Sequence, residues 1–254
     1  MNRKINKNLG KNRKNKSFVI KSIQLICVIL IMFSSMEIYK WVKENNENRD
    51  ALGKLQNIIS KDTKNDKDNK INYNVLQSIN SDIVAWIKIN NTNVDYPVVQ
   101  TENNEFYLNH NIEKNENKAG WIFMDYRNNL NSKDKNIIIY GHNRMDGSMF
   151  SSLKNLFQKQ WYENEQNLKI QLITESETLI YQIFSIYEIN NEDYYITTGF
   201  ENNEKFNQFL NKIKSRSIKN FEVNVSENDQ ILTLSTCSSN NKDRYVVHAK
   251  KVLN

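Results

Sequence analysis

Between Phe18 and Met36 the chain is apolar at almost every position, broken by Lys21 and softened by Gln24 and serines. Ahead of it, residues 1–21 carry Arg3, Lys4, Lys7, Lys11, Arg13, Lys14, Lys16 and Lys21 and no acid. No other feature limits the fold as strongly. With the Lys21 ammonium reaching for the interface, the run approaches the ~20 residues that a bilayer core requires. Glu37, Tyr39, Lys40 and Trp41 then read as an interfacial girdle. A cleavable signal peptide is the competing reading, but Ser34-Ser35-Met36-Glu37 makes a poor small-x-small cleavage site and helical character continues past it. The run is therefore read as an uncleaved anchor. The excess of positive charge places residues 1–21 in the cytoplasm and everything after about residue 40 outside, which makes this a single-pass protein of the cell membrane.

The anchor also explains the charge. The chain carries a formal charge of +6, with 35 basic and 29 acidic residues. Eight of the basic residues lie in the tail, leaving 27 against 29 in the remainder, a net of −2. A nucleic-acid partner for the folded part loses its support. After Trp41 a polar stretch follows in which Ala51, Leu55, Ile58 and Ile59 recur at near-helical spacing, and it dissolves into the mixed-charge segment 61–70. The expected organisation is a basic cytoplasmic tail at 1–21, a transmembrane signal anchor at 22–41, a polar helical stalk and linker at 42–71, and an extracellular domain at 72–254 starting near Asn72.

Within that domain, short apolar runs alternate with turn residues. Leu76 to Asn80 reads as helical. Ile83 to Ile89 and Val94 to Val99 read as strands, with Pro97 marking the second as an edge or a bulge. Trp121 to Met124 and Ile137 to Tyr140 follow, the latter stopped by Gly141. Met149, Leu153, Leu156 and Phe157 fit one helical face. Leu168 to Thr174 and Thr178 to Ile189 form a hairpin, and Phe206, Phe209, Leu210 and Ile213 mark a covering helix. Val223, Ile231 to Thr236 and Tyr245 to Val252 supply the last strands. About eight short strands with few helices favour a closed barrel or a sandwich, mostly β with flanking helices.

The cysteine count carries chemical information. Of two cysteines, Cys27 lies inside the anchor and Cys237 ends a strand outside it, so they cannot meet in a disulfide. A lone thiol in an exported domain is either a buried, inert small hydrophobe or a nucleophile. A nucleophile needs a base or a cation. His110 lies in a polar loop and reads as a solvated surface residue. His142 directly follows Gly141 at the end of a strand. His248 shares a strand face with Arg244 but lies four residues away, roughly 13 Å, too far for one compact site. Arg244 opens the last strand seven residues after Cys237, so an antiparallel hairpin through Ser238 to Asp243 brings both to one sheet end, where a guanidinium can hold an oxyanion. No pair of histidines, cysteines or acids has metal-ligand spacing, and no cofactor is expected.

Leu-Ser-Thr-Cys on a strand, Arg244 opening the next, and Tyr140-Gly141-His142 after an earlier one together resemble the sortases, membrane-anchored cysteine transpeptidases of Gram-positive cell surfaces. Within that family the chain resembles class B through Asp82-Ile83-Val84-Ala85-Trp86-Ile87, Asn93 to Gln100, Ile122 to Asn128 and Ile138 to His142. The resemblance spans about residues 75–253. It implies a closed eight-stranded sortase-type β-barrel with His142, Cys237 and Arg244 as catalytic residues at one end of a groove. It further implies attack of Cys237 on a threonine carbonyl in the C-terminal sorting signal of a secreted protein, and transfer to an amine of peptidoglycan or of a lipid-linked cell-wall precursor. Asn104, Leu108, Tyr195 and Ile196 match positions that line the class B groove, and Ser235, two before the cysteine on the same side of its strand, is a further candidate to bond substrate or the histidine. Where some class B members carry an acid after the cysteine, this chain has Ser238.

Two readings from other classes compete: a membrane-tethered extracellular cysteine protease and a catalytically silent surface binding module. A papain-like protease places its cysteine ahead of its histidine and needs an orienting amide, whereas here the order is His, Cys, Arg. A binding module has no need of a lone thiol facing a histidine and an arginine.

Overall fold

The computed structural model describes residues 2–65, 72–132, 134–190, 192–237 and 244–252, with side chains described for 18–60, 72–132, 134–190, 192–236 and 244–252. The chain divides into two compact units, Met1–Glu47 and Asn48–Asn254. Helix α1 (Asn2–Asn65) runs through the first and into the second. Within Phe18–Ser60 it holds an 18-residue window of mean hydropathy 2.2, none of it buried, so it is long and apolar enough to cross a membrane.

The second unit takes in the end of α1. Composition puts the start of the folded domain near Asn72, yet Ala51 and Leu55, one turn apart on α1, belong to the main hydrophobic core. Two apolar residues at that spacing suffice to dock a helix whose other faces remain polar. Asn48 adds a buried amide that donates to the Gly120 carbonyl (3.3 Å) and accepts from the Asn117 amide (3.0 Å).

The remaining elements are α2 (Tyr73–Ile79), β1 (Ile83–Ile89), β2 (Asp95–Val99), a 3-10 turn (Phe106–Leu108), β3 (Phe123–Met124), β4 (Asn136–His142), a 3-10 helix (Ser151–Phe157), α3 (Lys159–Tyr162), β5 (Lys169–Ile173), β6 (Thr178–Ile189), a 3-10 turn (Tyr194–Ile196), α4 (Asn203–Ser215), β7 (Ile231–Cys237) and β8 (Arg244–Val252). The eight strands close into a barrel in the order β1-β2-β3-β4-β7-β8-β6-β5, with β5 pairing back to β1. A closed barrel leaves no open edge. Pro97 is tolerated because β2 meets β3 through a single pair, Val99 with Phe123, so the ladder never calls on its missing N–H; the register irregularity falls on β1, between Ile83 and Ala85.

Several local expectations change. Only Phe123–Met124 of the run from Trp121 pairs as a strand, because the Trp121 indole turns to donate to the Pro97 carbonyl (3.0 Å). Gly141 does not stop β4, which continues to His142. A Cβ at Gly141 would lie 2.7 Å from the buried Phe150 ring, so glycine is required there for packing rather than for a turn. The helical face after it is a 3-10 helix that begins at Ser151, behind Met149 at φ 55°. Val223 joins no strand and packs, half-buried, against the cluster under α4. His110 is half-buried rather than solvated, stacked on Phe106 with centroids 3.9 Å apart.

The two faces of β7 divide the core. Leu232 and Leu234 belong to the main cluster, whereas Ile231 belongs to a second one that α4 covers with Phe206, Phe209, Leu210 and Ile213. By the two-residue period of a strand, Thr233 and Ser235 share the side of Ile231.

Candidate active site

Strands β4 and β7 run parallel and in register from Asn136 with Ile231 to His142 with Cys237. Parallel neighbours that start level end level, so the histidine and the cysteine reach the same rim. β8 runs back antiparallel to β7, with Ser235 opposite Val246. Continued by two residues, that register sets Arg244 level with Cys237. His142, Cys237 and Arg244 thus occupy one row of backbone positions across three adjacent strands. The Cys237 side chain, Ser238 and the connection through Asp243 lie outside the described residues.

A cavity of about 430 Å³ opens beside this row, lined by Asn104, Leu108, Asn109, Phe123, Tyr140, His142, Ile196, Ser235, Thr236 and Arg244. Four of the five anticipated substrate-contact residues therefore line it. Tyr195 does not: it is fully buried behind the wall, where its hydroxyl accepts from Arg244 Nη1 (3.3 Å) and shares a hydrogen bond with Ser235 Oγ (2.9 Å). With its oxygen taking the guanidinium proton, the Tyr195 O–H is left to donate to Ser235. Ser235 is buried and its Oγ accepts that bond.

His142 is held from one side. Its Nε2 lies 2.8 Å from the Leu108 carbonyl, which can only accept, so Nε2 carries the proton and Nδ1 of the neutral ring is a free base. Burial holds its pKa below the ordinary histidine value; the Leu108 carbonyl pulls the other way, and the Arg144 charge adds to the lowering. The seat for this ring is Gly120, at φ +58°: a Cβ there would lie 2.6 Å from the Tyr107 carbonyl, 2.8 Å from His142 Cδ2 and 2.8 Å from the Leu108 carbonyl. Sequence reasoning passed over Gly120, although a glycine just before an apolar run is a recognisable sign of a left-handed residue.

Asn104 faces the cavity but its amide is committed. Nδ2 donates to Asp125 Oδ2 (3.0 Å) and Oδ1 accepts from the Tyr126 N–H (3.0 Å). The Asp125 carboxylate is fully buried; burial alone would raise its pKa, but Arg127, the Arg127 N–H and Tyr140 outweigh that and hold it below the usual carboxylate range.

His248 stands apart. It is buried on β8, its Nδ1 2.8 Å from Thr233 Oγ1 and its Nε2 2.9 Å from the Tyr187 hydroxyl. Thr233 Oγ1 donates to Asn136 Oδ1 (2.6 Å), and the Asn136 amide donates to the Thr197 carbonyl (2.9 Å). These contacts make His248 part of the packing beneath α4.

Comparison with known proteins places this geometry. The sortase domain profile matches residues 87–252. Sortase B of Listeria monocytogenes is 36% identical over 246 residues, covering 94% of this chain and 99% of the relative. Sortase B of Staphylococcus aureus is 35% identical over 232 residues, covering 90% and 94%. The solved S. aureus sortase B–substrate complex superposes with a TM-score of 0.76 at 35% identity, covering 83% of this chain and 98% of that one.

Proposed function

The chain belongs to the sortase family of cysteine transpeptidases, and from that premise we propose that it cleaves a C-terminal sorting signal after a threonine and transfers the protein to a cell-wall amine. The observation that carries this reading is the level arrangement of His142, Cys237 and Arg244 on three adjacent strands beside the 430 Å³ cavity.

In the proposed reaction the Cys237 thiol gives its proton to His142 Nδ1, and the thiolate adds to the threonine carbonyl. Arg244 donates to the oxyanion that forms, in an orientation fixed by the Tyr195 hydroxyl. The imidazolium, with Nε2–H still on the Leu108 carbonyl, returns the proton to the departing amine as the carbon–nitrogen bond breaks. A thioacyl enzyme remains. An incoming amine attacks it, loses a proton to His142, and the collapse of the second tetrahedral species restores the thiol. A histidine held below its ordinary pKa suits the base role in both halves.

We further propose that residues 1–21 lie in the cytoplasm, that 22–41 cross the membrane, and that the catalytic unit works outside. The test is incubation of the full chain in detergent with a library of threonine-containing sorting peptides and a primary amine. The expected result is a thioester mass on Cys237 and an amine adduct of the threonine acyl fragment, both absent in Cys237→Ala at unchanged circular dichroism. Turnover retained by Cys237→Ala would sink the reading. Release of free acid alone in the presence of amine would make the protein a protease.

A further inference from the structure

One ion pair, Asp125 with Arg127, bonds to three residues that line the cavity, Asn104, Tyr140 and Ile196. Asp125 follows β3, and its buried carboxylate accepts from Arg127 Nε (2.8 Å), Arg127 Nη2 (2.7 Å), the Arg127 N–H (3.0 Å), the Tyr140 hydroxyl (2.8 Å) and the Asn104 amide (3.0 Å). Asn104 and Tyr140 both line the cavity. The same Arg127 Nη2 donates to the carbonyl of Ile196 (2.9 Å), another lining residue of the cavity. Gln100 Nε2 fixes the Asp125 backbone in turn by donating to its carbonyl (2.8 Å).

A carboxylate this buried needs its partners, because burying an uncompensated charge costs several kcal/mol. Here three of the five come from Arg127, two residues on, one from the loop before the Phe106–Leu108 turn and one from strand β4, and Arg127 carries the network on to the Tyr194–Ile196 turn. None of the five donors to the carboxylate belongs to the row of His142, Cys237 and Arg244. The ion pair therefore fixes distances across the groove without entering the chemistry. We propose that Asp125 and Arg127 are positioning residues that set the width of the groove, and through it the choice of the residue that precedes the scissile threonine. This rests on the proposed transpeptidase reading.

The test uses Arg127→Met, Arg127→Lys and Asp125→Asn in the full chain. Arg127→Met leaves the fully buried Asp125 carboxylate without its cation, so Asp125→Asn, which removes the charge and keeps the shape, and Arg127→Lys, which keeps a cation, carry the same readouts if Arg127→Met does not fold. Across peptides varied at the residue before the threonine, Arg127→Met raises KM at least fivefold, leaves kcat within twofold and flattens the preference between large and small residues, with partial recovery in Arg127→Lys. Alkylation of Cys237 by iodoacetamide stays within twofold of wild type. An activity-independent readout is hydrogen exchange, in which the amides of residues 194–197 exchange at least tenfold faster in Arg127→Met. Unchanged exchange there, or an unchanged KM and preference, overturns the proposal. A fall in kcat matched by a fall in alkylation also overturns it, since the site itself would then have collapsed. If wild type cleaves no peptide, the transpeptidase reading fails, and the exchange measurement still decides whether Arg127 holds the wall.

Discussion

His142 and Cys237 end two parallel neighbours at the same rung, β4 and β7 pairing residue for residue over seven positions. Their proximity therefore depends on the length and register of two buried strands and not on a loop.

The first prediction concerns pH. Burial and the Arg144 charge both lower the His142 pKa, so the acidic limb of kcat/KM falls below pH 6.5. Arg144→Gln removes one of those causes and moves the limb upward. A pH–rate profile of both proteins checks the direction.

Gly120→Ala forces a left-handed residue to carry a Cβ, at roughly 1–2 kcal/mol, and drives that Cβ into His142 and two carbonyls. Activity should fall more than tenfold through kcat, with a smaller loss of stability. Steady-state kinetics alongside thermal unfolding separate the two.

Gly141→Ala tests packing. Its Cβ would meet the Phe150 ring at 2.7 Å, and overfilling a packed core costs about 1–3 kcal/mol. A urea titration should show that loss, with the midpoint lowered and the slope unchanged.

Tyr195→Phe removes the hydroxyl that accepts from Arg244 and bonds Ser235. One such bond is worth about 1 kcal/mol, so kcat/KM should drop roughly five- to tenfold. Arg244→Lys should cost far more, since an ammonium cannot reproduce the planar fork. Equal effects in the two variants would contradict the arrangement.

His248 has its pKa lowered to about 3 by burial. The folded state therefore excludes a proton that the unfolded chain binds below its ordinary value of 6.5. The stability is complete above pH 6.5 and is lost as pH falls toward 3, at up to tenfold in the folding constant per pH unit. His248→Gln should flatten that slope between pH 6.5 and 4.5, measured by chemical denaturation at each pH.

Much of the architecture was legible because the pattern was strong. β1, the β5–β6 hairpin, α4 and β7 follow from apolar runs, strand alternation and helical spacing in Ile83–Ile89, Lys169–Ile189, Phe206–Ile213 and Ile231–Cys237. What misled were residues whose local signal had a distant cause. Gly141 looked like a terminator because the demand for a missing Cβ comes from Phe150, which reaches it only after the chain has turned back. Residues 48–55 read as stalk because just three residues of that polar stretch, Ala51, Leu52 and Leu55, meet the core. Tyr195 was anticipated in the groove, but side-chain direction on a short turn has no period to read.

The sequence by itself determined the apolar helix, the succession of strands and the identity of the three residues proposed to react, because hydropathy, spacing and thiol chemistry are properties of neighbours along the chain. The tertiary structure alone decided that Leu108 fixes the His142 tautomer, that Gly120 seats the ring, that Tyr195 orients Arg244 and that Asp125 with Arg127 links Asn104, Tyr140 and Ile196. Apart from the local Asp125–Arg127 pair, each of these is a contact between segments far apart in sequence, Arg127 with Ile196 included, whose distance is set by the tertiary fold, and no local preference encodes it.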